Sequence, residues 1–148
     1  MVEKYMELAI NEAKKAFNNG EVPIGAIIVK DGKVIGRGHN KKKEMNSIVS
    51  HAEINAILMA SNNINNWRLD GCDIYVTLEP CPMCASAIKQ SRIKNVYCGL
   101  SNLDTNNKNI IKLIFEADKI NRKVNLHYYE KEEVRFLLQS FFKNRRNK

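Results

Sequence analysis

At 148 residues the chain has the length of one ordinary domain. Its 44% hydrophobic and 27% charged residues exclude a disordered chain, and no apolar run approaches the roughly 20 residues that span a bilayer. The net charge of +8 points to a polyanionic partner. The N-terminus lacks the apolar segment of a secretory signal, and Glu3, Glu7 and Glu12 argue against an acid-poor transit peptide. Cys81 and Cys84 are too close for a usual structural disulfide, and Cys72 and Cys98 lie in apolar, strand-like contexts that suit buried thiols. The expected compartment is the reducing cytoplasm.

Val2, Tyr5, Met6, Ala9, Ile10, Ala13, Ala16 and Phe17 recur at helical spacing, and Asn18-Asn19-Gly20 ends that helix. Val22 to Val29 is β-rich, Asp31-Gly32 is a two-residue hairpin turn, and Lys33 to Gly38 returns. His39 to Val49 reads as a polar loop. Ser50 is the expected cap of a helix from His51 to about Ser61. A strand over Asp73 to Leu78, a helix over Cys81 to Ser91 and a strand over Lys94 to Cys98 follow. Ser101 to Asn109 is Asn-rich and reads as a loop. A short helix at Ile110 to Ala117, a strand at Val124 to Tyr128 and a last helix from about Glu130 to Asn144 complete the order. No repeat or composition break interrupts the chain, so a single domain over residues 1–148 is expected. Strands alternating with helices after a hairpin predict an α/β fold with a mixed sheet covered on both faces.

Two motifs carry chemistry: His51-Ala52-Glu53 and Pro80-Cys81-Pro82-Met83-Cys84. One imidazole and two thiols make a three-ligand set, which leaves a tetrahedral zinc an open fourth position for water. Cys81 and Cys84 lie three apart in a first helical turn, where exposed N–H groups favour thiolate. Glu53 lies two residues past His51, about 200° away on a helix, which disfavours both binding one metal and suits proton transfer to and from the water. Each motif alone has a plainer reading. Ser50 to Glu53 matches a capping box, His51 matches a packed histidine, and Cys-Pro-x-Cys matches a redox pair. The redox reading gives no role to His51 or Glu53, so the two motifs together favour a hydrolytic zinc site.

Val22-Pro23-Ile24-Gly25-Ala26, His39-Asn40, His51-Ala52-Glu53, Trp67-Arg68-Leu69, the run from Tyr75 to Cys84, Ser91-Arg92-Ile93 and Phe141-Phe142 with Arg145-Arg146 resemble the bacterial tRNA-specific adenosine deaminases. The resemblance covers nearly the whole chain, and its zinc motifs are those of the cytidine-deaminase-like superfamily. It implies a three-layer α/β/α fold with a mixed five-stranded sheet, forming one CMP/dCMP-type zinc deaminase domain. It implies a hydrolase that turns the wobble adenosine (position 34) of a tRNA anticodon into inosine and releases ammonia. The implied assembly is a homodimer with one Zn2+ per subunit, tRNA as partner through the anticodon stem-loop, and no organic cofactor. Carried over, His51, Cys81 and Cys84 hold zinc, and Glu53 shuttles protons. Asn40 hydrogen-bonds the flipped base, and Val22 lines its pocket. The plainer readings are a turn asparagine for Asn40 and a core residue for Val22.

The loop after Cys98-Gly99 departs from the family pattern. Aligned from Gly99, Asn102 falls where the family has an acid that contacts the substrate backbone; alternatively Asp104 supplies the acid through a shifted loop. An amide at Asn102 donates as well as accepts, so weaker discrimination of RNA from DNA is expected. From Arg135 to the C-terminus there is no acidic residue. Lys143, Arg145 and Arg146 either touch the anticodon stem or form a solvated basic end. Lys41-Lys42-Lys43 reads as a solvated loop, with contact to the RNA as the alternative.

Overall fold

Five strands form one mixed sheet in a computed structural model that describes residues 1–117 and 123–146, the last by its backbone alone. β1 (Gly25–Lys30) and β2 (Lys33–His39) are an antiparallel hairpin. Asp31 and Gly32 close it at φ 49° and 77°, the left-handed pair that a two-residue turn requires. β3 (Asp73–Val76) runs antiparallel on the other side of β1, and β4 (Asn95–Cys98) and β5 (Asn125–Tyr128) follow in parallel. The order across the sheet is β2-β1-β3-β4-β5. Parallel neighbours need crossovers, and α3 (Pro82–Gln90) and α4 (Thr105–Glu116) supply them.

Period-two burial sorts the layers. Ala26 and Ile28 of β1, Ile74 and Val76 of β3, and Val96 and Cys98 of β4 pack with α2 (Ala52–Ile64), α3 and α4. Ile27, Val29 and Tyr75 face the other way, onto α1 (Val2–Asn18) and Val134 of α5 (Glu132–Arg146). On that second face Tyr75, Tyr97 and His127 share one register across three strands, and their rings stack with centroids 4.7 Å apart at each step. The fold is therefore the expected three-layer α/β/α arrangement with a mixed five-stranded sheet.

The α2 helix lies against β2 through small residues. A Cβ on Gly38 would stand 2.2 Å from the Ala52 carbonyl oxygen, and one on Gly36 would stand 2.4 Å from that of Ala56. Backbone meets backbone here, so the position of the helix start at Ala52 is set by β2.

Two of the boundaries that differ from expectation have a clear local cause. β1 starts at Gly25 and not at Val22: Pro23 has no N–H to pair, and the Ile24 N–H turns back to the Val22 carbonyl at 2.8 Å. The Asn-rich stretch expected as loop to Asn109 is helical from Thr105. The Asp104 carboxylate accepts the Asn106 N–H at 2.9 Å, and Ile111 and Phe115 are buried in the core. A cap and a packed face outweigh the poor helix propensity of asparagine.

Candidate active site

The two motifs meet where helices begin. His51 is the N-cap of α2 and Cys81 is the N-cap of α3, with Pro82 in the first turn. The His51 Nδ1 lies 3.7 Å from the Cys81 Sγ and 3.4 Å from the Cys84 Sγ. All three ligand atoms fall within 4.8 Å of one another, so the set can hold a metal ion. A tetrahedral zinc with bonds of about 2.3 Å to sulfur and about 2.0 Å to nitrogen would set N···S separations near about 3.5 Å, which these residues match.

In the metal-free fold the two thiols and Glu53 divide the protons unequally. The Cys81 thiol is brought down to about 5. The hydrogen bond from the Cys84 thiol is the largest cause, opposed by burial and helped by the facing N–H groups of Cys84 and Met83 and by His51. The Cys84 thiol is pushed far up, first by that same hydrogen bond and then by burial and the Glu53 charge. Glu53 is buried, and its carboxyl is pushed up to about 7. Burial is the main cause and the Cys81 charge adds to it, while its own backbone and the Cys84 thiol act in the other direction. A buried carboxyl in contact with the ligand cluster is placed to take a proton from a water there and to return it.

The capping box expected at Ser50 is not made. His51, with extended φ −83° and ψ 157°, is the N-cap, and the Ser50 hydroxyl instead accepts the Asn55 amide at 3.1 Å. The Ala52 N–H at the start of α2 is taken by the Asn40 Oδ1 at 2.8 Å. The extended His51 also explains how it and Glu53 reach one site despite the 200° that separates them on an ideal helix: His51 stands before the helix, and Glu53 stands in its first turn. Asn40 is buried, and its Nδ2 makes no hydrogen bond among the described residues. Val22 is half-buried, just before β1.

The remaining expected residues lie elsewhere. Asn102 spends its Oδ1 on the Asp104 N–H at 2.9 Å, and Asp104 is the N-cap of α4. Lys143 and Arg145 are exposed on α5, and the Arg145 guanidinium lies over the Phe141 ring at 5.4 Å. Lys43, from the basic loop, joins Arg145, Phe17 and Phe141 around one cavity of about 370 Å³. The side chain of Arg146 lies outside the described residues.

Three supports had no local sequence signal, because each joins residues far apart in the chain. Glu21 holds the loop before His51 by accepting the N–H groups of Lys43 and Glu44, each at 3.0 Å. The Asn107 amide donates to the Pro80 carbonyl at 3.3 Å and ties α4 to the cysteine turn. Glu79 is fully buried one residue before Pro80; it accepts the Tyr128 hydroxyl, and the Lys108 Nζ lies 3.7 Å away.

Residues 1–100 match the model of the cytidine and deoxycytidylate deaminase zinc-binding region. The chain belongs to this deaminase family. Within the family, it is 43% identical over 147 residues to the tRNA-specific adenosine deaminase of Aquifex aeolicus, covering 98% of this chain and 96% of that one. It is 38% identical over 147 residues to that of Bacillus subtilis, with 99% and 91% covered. A solved structure from work on A-to-I editing by tRNA:A34 deaminases superposes with a TM-score of 0.83 at 37% identity, covering 92% of this chain and 99% of that one. A guanine deaminase from Bacillus subtilis is also similar, with TM-score 0.66, 31% identity, and 99% and 94% covered. These likenesses place the chain among the tRNA-specific adenosine deaminases, on the branch its sequence resembles.

Proposed function

We propose that the protein, acting as one deaminase domain, converts the adenosine at the wobble position of a tRNA anticodon into inosine and releases ammonia. The observation that carries this is the His51, Cys81 and Cys84 cluster with the buried Glu53 beside it, in a chain 43% identical to a tRNA-specific adenosine deaminase. Zinc held by the three ligands, one per subunit, would supply a Lewis acid that makes water nucleophilic near neutral pH. Glu53 takes a proton from the attacking water and delivers it to a ring nitrogen. It then takes the remaining proton of that oxygen and passes it to the departing amino group as the C–N bond breaks, so adenosine and water give inosine and ammonia. Asn40, its Oδ1 committed to Ala52, presents Nδ2 as a donor to an acceptor nitrogen of the purine. Val22 lines the base pocket.

The basic face supports an RNA substrate. Lys43 and Arg145 share an aromatic-floored cavity, and Lys143 adds charge on the same helix, as does Arg146 in sequence. Asn102 reaches the substrate backbone through its amide Nδ2, since its Oδ1 is used within the loop. A homodimer fits the exposed apolar side chains Leu58 and Met59 on α2 and Leu113 on α4, which a second copy would cover. No helix among the described residues is long and apolar enough to cross a membrane. A cytoplasmic location is supported by the four free cysteines, which suit a reducing compartment.

A guanine deaminase is the second reading, favoured by the 31% identity to the Bacillus subtilis enzyme. One assay separates the two. The zinc-loaded protein is incubated with an anticodon stem-loop carrying adenosine at the wobble position, and separately with free adenosine, cytidine and guanine. Inosine formed in the RNA alone is the expected result. Xanthine from guanine without product in the RNA would overturn the tRNA reading.

A further inference from the structure

The parallel strands have a second end. Cys81 follows the C-terminal end of β3, and about 13 Å of strand separates it from the opposite rim. At that rim Asp70 and Gly71 precede β3, Arg92 to Lys94 precede β4, and Lys123 precedes β5. Together with Asn125 they line a pocket of about 340 Å³. None of Arg92, Lys94 and Lys123 forms an ion pair among the described residues. Set against the single carboxylate of Asp70, three cations leave the pocket with an excess of two positive charges.

Arg92 is built into this pocket in an unusual way. It follows the last residue of the α3 cap at φ 69°, a left-handed position where glycine fits best and where other residues carry strain. The Ile93 N–H reaches back to the Ile88 carbonyl and the Arg92 N–H to that of Lys89, which closes the turn around it. The Arg92 guanidinium lies 5.6 Å from the centre of the exposed Trp67 ring, where Arg68 also stacks at 5.3 Å. The Arg92 Nε is buried and has no hydrogen-bond partner among the described residues. A turn that favours glycine thus holds an arginine, stacked in place on an aromatic face and lining a cationic pocket.

We propose that this pocket is a phosphate-binding site, separate from the deaminase centre, that takes a phosphate monoester. Two excess positive charges match a phosphate dianion and exceed what one carboxylate would neutralise. A guanidinium already oriented by stacking can donate two parallel hydrogen bonds to phosphate oxygens with little further ordering, and Lys94 and Lys123 act as point charges beside it. The monoester belongs either to a free mononucleotide or to the 5′-phosphate end of an RNA.

Trp67 is the one tryptophan of the chain, so its fluorescence reports on the pocket directly. The zinc-loaded full chain is titrated with inorganic phosphate, with adenosine 5′-monophosphate and with a 5′-phosphorylated RNA stem-loop, each followed by fluorescence and by calorimetry. Saturable binding is expected, unchanged in Glu53→Ala and weakened at least about ten-fold in Arg92→Gly. The glycine variant relieves the left-handed backbone, so loss of binding is not loss of fold. The Lys94→Gln/Lys123→Gln double variant keeps the Arg92–Trp67 stack and weakens binding by a similar factor. Saturation by phosphate or the mononucleotide assigns a free ligand, and saturation by the RNA alone assigns an RNA end. No saturable response to any probe, or binding that survives Arg92→Gly undiminished, overturns the proposal. Deamination of the wobble adenosine is scored separately, so either reading can fail without the other.

Discussion

Helices α2 and α3 begin at the candidate active site, and α4 begins beside it, yet they begin differently. The α4 start is ordinary: Asp104 caps its own helix by accepting the Asn106 N–H. The N-caps of α2 and α3 are His51 and Cys81, and neither side chain caps its own helix. Those side chains turn toward each other instead, and α2 recovers a cap from Asn40 outside the helix. The difference shows where local stability has been given up. A helix start exposes N–H groups and positive potential. At α4 these are satisfied on the spot, while at α3 they face the thiolate of Cys81.

The largest effect should come from removing a ligand. Cys84→Ala is expected to lose stoichiometric zinc by elemental analysis and all measurable turnover, whereas Asp104→Ala keeps both. Chelation of the wild-type protein should likewise abolish turnover, with recovery on adding zinc. Full activity in the chelated protein would remove the functional basis of the comparison.

Glu53→Gln comes next. Zinc should remain, and turnover should fall by about 10²–10⁴-fold. Its pH signature is separate. In the metal-free fold, the Glu53 carboxyl is raised from the usual 4.5 to about 7, chiefly by burial. Between those values the folded state holds a proton that the unfolded chain has released. Stability therefore falls as pH rises from 4.5 through about 7, by a contribution on the order of 3 kcal/mol. Urea unfolding of metal-free Glu53→Gln should lack that fall. A parallel pH dependence in both proteins would mean that Glu53 is not the buried acid described.

Asn40→Ala and Asp104→Ala test the two kinds of cap against each other. Each should cost about 1 kcal/mol of stability, more at Asn40 because its loss leaves the Ala52 N–H unpaired. Turnover should drop about ten-fold or more in Asn40→Ala and stay near wild type in Asp104→Ala. Equal losses of turnover would mean that Asp104 serves the substrate as well as its helix.

The site was legible in the sequence to the extent that its parts are local. His51, Glu53, Cys81 and Cys84 sit in two short motifs whose spacing carries the metal chemistry. The strands expected over Asp73 to Leu78 and Lys94 to Cys98 are found at Asp73–Val76 and Asn95–Cys98. What escaped was long-range. The N-cap moved from Ser50 to His51 because Asn40, twelve residues upstream, supplies the bond that Ser50 would have made. Only the start of α4, Thr105 to Asn109, was hidden behind asparagines, since the Asp104 cap and the burial of Ile111 and Phe115 further along support it. Glu79 lies in the run from Tyr75 to Cys84 with nothing nearby in sequence to show its role; its partners Tyr128 and Lys108 come from two later elements.

The smallest effect tests whether an uncapped helix start implies a working site. α1 also begins without a side-chain cap, at Met1, but it carries no metal ligand. Its first-turn acid, Glu3, pairs with Lys131 at 2.7 Å and accepts the Tyr129 hydroxyl, tying α1 to the segment between β5 and α5. Those hydrogen bonds hold its carboxyl down from the usual 4.5 to about 2, Lys131 contributing most. A depressed carboxyl stabilises the fold above its unfolded value, and that contribution is lost as pH falls from 4.5 toward 2. Glu3 is exposed, so solvent and salt screen the pairing and the effect is small. The stability difference between wild type and Glu3→Gln should shrink steadily across that window and shrink further in high salt, with turnover unchanged. A loss of turnover in Glu3→Gln would extend the functional role to α1. A difference independent of pH would show that the amide replaces the carboxylate without loss, and that α1 is held by its buried face of Met6, Ala9 and Ile10 alone.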